Sequence, residues 1–86
     1  MQPMDAIEQA RVLFQQALTL HNAHRFSQAE QLYRKALELA PDRTSVLINL
    51  SAVLIAQNRH SEARPLCERV LSIEPGQPQA LDHIQQ

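Results

Sequence analysis

Residues 10–41, ARVLFQQALTLHNAHRFSQAEQLYRKALELAP, and residues 44–75, TSVLINLSAVLIAQNRHSEARPLCERVLSIEP, are two versions of one pattern. Set against each other at an offset of 34 residues, they share nine identities. These are Val12/Val46, Leu13/Leu47, Leu20/Leu54, Arg25/Arg59, Ser27/Ser61, Ala29/Ala63, Leu32/Leu66, Leu37/Leu71 and Pro41/Pro75. Ala17/Ser51, Ala36/Val70 and Leu39/Ile73 exchange like for like. A third copy starts and breaks off, with Leu81 and Ile84 at the positions of Leu47 and Leu50. Self-similarity at a fixed period is the mark of a repeat architecture, in which each unit buries its apolar edge only against a neighbour.

Inside each unit the apolar period is helical. Ile7, Ala10, Leu13, Ala17 and Leu20 recur at three- and four-residue steps, as do Ala29, Leu32, Ala36 and Leu39, with Tyr33 and Leu37 widening the second stripe. Ser27 and Glu30 have the spacing of a capping box that would open the second helix, and Asp5 and Glu8 repeat it at the first. Pro41 and Pro75 close the units, because the proline ring clashes with continued helix. The spacing predicts helices at roughly 5–21, 27–40, 43–57, 61–73 and 78–85. Each unit is then an antiparallel helix pair. Pro65 falls at or just past a first turn, where the missing N–H costs least, with slight irregularity expected at Arg64.

Composition narrows the function. One Gly in 86 residues excludes a glycine-rich phosphate cradle. The net charge of −1, with no basic cluster and only two Phe, one Tyr and no Trp, argues against a nucleic-acid surface. The lone Cys67 forms no internal disulfide, and the four His do not complete a metal set with it. No run reaches the ~18–20 apolar residues of a membrane span. The Met1–Asp5 stretch lacks the features of a signal peptide. We expect a reduced, soluble, cytoplasmic protein with no cofactor, no metal and no catalytic residues.

The pattern resembles the tetratricopeptide repeat. The family's large, small, aliphatic, small, aromatic, small and proline positions read Leu13, Ala17, Leu20, Ala29, Tyr33, Ala36 and Pro41 in the first unit. In the second they read Leu47, Ser51, Leu54, Ala63, Cys67, Val70 and Pro75. The likeness covers nearly the whole chain after residue 5. It implies an all-α fold of helix-turn-helix repeats stacked as a short right-handed α-solenoid, with repeats at about 8–41 and 42–75 and a partial third or capping helix at about 78–86. Two departures stand out. His24 and Asn58 occupy a turn where the family often has glycine, and Cys67 replaces the aromatic of the second unit, which should loosen packing there.

Such folds present the first helix of each pair on a concave face, and this implies a protein or peptide partner. Here the face would carry Arg11, Phe14, Gln15, Leu18, Ile48, Asn49, Ala52, Ile55 and His83, together with His21, Asn22, Ser45, Ala56, Gln79 and Asp82. Phe14, Leu18, Ile48 and Ile55 would form an apolar floor for an amphipathic helix or extended segment, with Asn49 and Gln15 bonding its amides. The same residues could instead cover a further repeat or capping helix. Some family members clamp a chaperone's C-terminal carboxylate; the matching positions are Phe14, Leu18, Asn49, Gln79 and His83, of which only Asn49 fits, so that ligand is rejected. Cys67 reads as a buried, inert thiol, and His21 and His24 as solvated turn histidines. Two other roles are weighed against an interaction module: the recognition or regulatory arm of a larger bacterial enzyme such as a transferase, and a homodimerisation unit.

Overall fold

The computed structural model describes residues 3–85, which form five helices and no strand. They are α1 (Ala6–Asn22), α2 (Phe26–Leu39), α3 (Thr44–Ala56), α4 (His60–Ile73) and α5 (Pro78–Ile84). Each boundary falls within one residue of its expected place. Met1, Gln2 and Gln86, the last of which closes the expected third unit, lie outside the described residues. The helices stack as antiparallel pairs in a slab of 46 × 28 × 17 Å.

Two turns of identical build close the pairs. His24 and Asn58 both take left-handed backbone, at φ 61° and 62°. The Arg25 N–H reaches the Leu20 carbonyl at 2.8 Å and the Arg59 N–H reaches the Leu54 carbonyl at 2.9 Å, satisfying carbonyls that a helix end leaves open. The left-handed state costs an ordinary L-residue roughly 1–2 kcal/mol, less for Asn. His24 recovers part of this by stacking on Phe26, ring centroids 5.4 Å apart.

Helix starts divide the two expected capping boxes. At α1 the Asp5 carboxylate accepts from the Glu8 backbone N–H at 2.8 Å. At α2 there is no such cap: the helix begins at Phe26, so Ser27 is already inside the first turn. Glu30 turns away to meet the second pair. Its two oxygens accept from Arg59 at 2.6 and 3.2 Å, and from Gln57 and Arg34 at 3.1 Å each. A two-point guanidinium contact is stronger than a bond to a neutral backbone N–H, so the fork wins the carboxylate. Burial opposes this ionised state, but the bonds from Arg59, Gln57 and Arg34 outweigh it and hold Glu30 below the usual carboxylate range.

The main core lies between the pairs. Ala10, Ala17, Ala29 and Ala36 are buried, and their small side chains let α1 and α2 approach closely around the fully buried ring of Tyr33. Val46, Leu50, Val53 and Leu54 of α3 pack into the same cluster. A second cluster of Leu47, Ile48, Cys67, Val70 and Ala80 joins α3, α4 and α5. Cys67 is buried there and burial raises its thiol pKa. Pro65 sits in an unbroken α4 on an exposed side, where the Ser61 carbonyl can turn to water.

Candidate partner-binding groove

A cavity of about 240 Å³ lies between α1 and the start of α3. Ala10, Arg11, Phe14 and Gln15 line it from α1, and Arg43, Ser45 and Val46 from the start of α3. Phe14 is half-buried; its ring centroid lies 5.8 Å from that of Tyr33 at a 53° tilt. The aromatic core therefore fixes the ring's position. Arg11, Gln15, Arg43 and Ser45 are exposed around the rim.

Further along the same face Leu18, Asn49, Ala52 and Ile55 are half-buried. Asn49 donates its amide N–H to the Ser45 carbonyl at 2.7 Å, holding the side chain along the helix. Two of the residues expected on this face are occupied. Ile48 is 8% exposed and belongs to the cluster beneath α5, so it is core and not open floor. His83 is half-buried with Nδ1 2.8 Å from the Ser51 Oγ. The Ser51 hydroxyl donates its one hydrogen to the Ile48 carbonyl at 2.6 Å, so His83 must donate from Nδ1. This bond pins α5 to α3, and burial lowers the His83 pKa against the opposing pull of Asp82.

His21 also departs from expectation. It is half-buried, its Nδ1 lies 2.9 Å from the Tyr33 hydroxyl, and its ring meets Tyr33 and Phe26 edge-on. Burial first, and the neighbouring His24 second, lower its pKa. The turn histidine is thus a core support for Tyr33, whose phenol burial pushes up to about 12. Among the described residues no group of three His, Cys, Asp or Glu is placed to hold a metal ion. Also among them, no helix is long and apolar enough to cross a membrane.

Sequence reasoning left out Arg43, Ala10 and Val46 as lining residues. Expected as the first residue of the third helix, Arg43 is instead its N-cap with extended backbone, so a helical period does not give its direction. Ala10 and Val46 belong to the buried stripes, and only the gap between α1 and α3 brings their edges to the cavity.

A family model described as "Tetratricopeptide repeat" matches residues 20–82. The chain is 43% identical over 63 residues to "Protein POLLENLESS 3-LIKE 1" of Arabidopsis thaliana, covering 73% of this chain and 13% of that protein. It is 33% identical over 70 residues to "Cellulose synthase operon protein C" of Xanthomonas axonopodis pv. citri (strain 306), covering 81% of this chain and 5% of that protein. The chain therefore spans only a small fraction of the length of either relative.

Proposed function

Because the chain belongs to the tetratricopeptide repeat family, whose repeats generally mediate protein–protein interaction, we propose that it is an interaction module holding a segment of a partner protein along α1 and α3. The observation that carries this reading is the row of half-buried apolar side chains Phe14, Leu18, Ala52 and Ile55, edged by the exposed Gln15 and the half-buried Asn49. Apolar anchors that are seated but not covered, with amide groups beside them, suit a helix or extended strand of a partner. The family is typically non-catalytic, and the reading assigns no reaction to this chain. The repeat boundaries we adopt are about 8–41, 42–75 and 78–86.

A photo-crosslinking residue placed at Gln15 or Ala52 should capture one and the same protein, while the same probe at Gln31 on the exposed side of α2 should not. Ala52→Glu should abolish capture from Gln15 without loss of helicity. Equal capture from Gln31, or capture that survives Ala52→Glu, would remove the groove from consideration. Ala52 serves better than Phe14 because Phe14 also packs on Tyr33.

Two further readings have their own support. Both relatives are far longer than the matched segment, which favours a recognition arm within a larger protein. Separately, Met4 and Val12 line a second depression on the outer side of α1 and, with Ile7, are exposed there, which favours self-association. Molar mass measured by light scattering over a wide concentration range tests the latter: a monomer throughout excludes the dimer.

A further inference from the structure

Resting on the groove reading, we infer that the cavity between α1 and α3 takes an acidic segment of the partner, with one apolar side chain seated on Ala10, Phe14 and Val46 and a flanking carboxylate held by Arg11 and Arg43. The volume of about 240 Å³ is ample for an aliphatic or aromatic side chain, since protein cavities of about 150 Å³ admit benzene. The charge is set by which arginines are free. Arg34 and Arg59 are committed to Glu30, Arg59 also to Glu62, Arg69 to Asp42, and Arg64 to the Ile84 carbonyl.

Arg11 and Arg43 have neither an ion pair nor a side-chain hydrogen bond among the described residues, and no carboxylate side chain lines the cavity. Arg25 is equally free but stands at the α1–α2 turn, outside the cavity. Two guanidiniums beside an apolar floor favour a planar anion attached to a hydrophobic group, which is what an acidic side chain next to Leu or Phe provides. A nucleic acid would need a row of cations along its phosphates, and the apolar floor would gain nothing from it.

The test is a titration of the isotope-labelled chain, followed by amide chemical shifts, with three short amidated peptides. The first has a central Leu flanked by Asp, the second has Lys in place of Asp, and the third has Ala in place of Leu. The first should bind saturably, with shifts concentrated at Ala10–Gln15 and Arg43–Val46. Raising the salt from about 0.05 M to about 0.5 M should weaken it severalfold. Arg11→Glu and Arg43→Glu should each weaken it about tenfold, the scale of one charge-assisted hydrogen bond, while Arg25→Glu should change it by less than about twofold.

The Lys and Ala peptides, and a single-stranded RNA oligonucleotide, should leave those amides unmoved. Equal binding of the Lys peptide, shifts centred elsewhere, tighter binding of the RNA, or no shift with the acidic peptide would each overturn the inference. Partner capture at Gln15 that is lost in Ala52→Glu but unaffected by Arg11→Glu with Arg43→Glu would sink this inference alone. Capture insensitive to all three changes would sink the groove as well.

Discussion

Leu50 and Gln16 occupy the same place in consecutive repeats, and replacing each by Ala should give opposite results. Leu50 is 0% exposed, in the cluster that binds the second helix pair to the first, whereas Gln16 faces outward on the uncovered side of α1. Truncating a fully buried Leu removes its transfer free energy and leaves a cavity, about 2.7–5 kcal/mol in measured cases. A chain of this length has a total stability of order 4–13 kcal/mol at 0.05–0.15 kcal/mol per residue. We therefore expect Leu50→Ala to remove about a fifth or more of the stability and to lower the melting temperature by roughly 11–40 °C, using 4–8 °C per kcal/mol for a small domain. Gln16→Ala should fall within about 0.5 kcal/mol of the parent, as exposed surface substitutions do. Urea unfolding followed by far-ultraviolet circular dichroism measures both, with an unchanged slope confirming that only stability moved. A loss under about 1 kcal/mol for Leu50→Ala, or a loss above that for Gln16→Ala, would refute the claim that neighbour contact decides a position's energetic role.

Glu30→Gln should cost about 1 kcal/mol, a modest figure because Arg59 is partly exposed and solvent screens the pair. Since the folded pKa of Glu30 lies below its ordinary value of 4.5, its contribution is present above that pH and lost as pH falls through the folded value. Parent and Glu30→Gln stabilities, measured by urea unfolding from neutral to acid pH, should converge there; a gap that stays constant would refute the pairing. His21 and His83 act in the same sense at higher pH. Their pKa values are lowered from 6.5, so the unfolded chain binds more protons just below that pH, and stability should fall as pH drops through 6.5 and level off once both are charged. Replacing both by Gln should flatten that slope, and an unchanged slope would count against their burial. The single Tyr of the chain allows a clean ultraviolet titration: Tyr33 should ionise near about 12 in the folded state and near 10.0 in urea, and coincident curves would contradict its burial. Cys67 should react with a thiol reagent only after unfolding, while rapid native labelling would show the second cluster to be open.

The amino-acid sequence by itself determined the helix count, the helix bounds to within a residue, the two turns and the buried place of Cys67. These are local or strictly periodic properties: a 3.6-residue apolar stripe, a proline stop, and a 34-residue lag that sets equivalent residues in equivalent places. His24 and Asn58 stand where the family that the pattern resembles often has glycine, and both take left-handed backbone. The tertiary structure alone decided partners and exposure. The Ser27–Glu30 spacing suits a cap, yet Glu30 bonds Arg59, 29 residues away, because stacking brings that fork within reach. His21 became a support for Tyr33 and His83 a tie to Ser51. Ile48 and Phe14 are equivalent in sequence, but α5 buries the first while α1 and α3 leave the second at the edge of a cavity. Repeat periodicity says which residues are alike; which of them meets a neighbour, an ion partner or water depends on what the rest of the chain packs beside it.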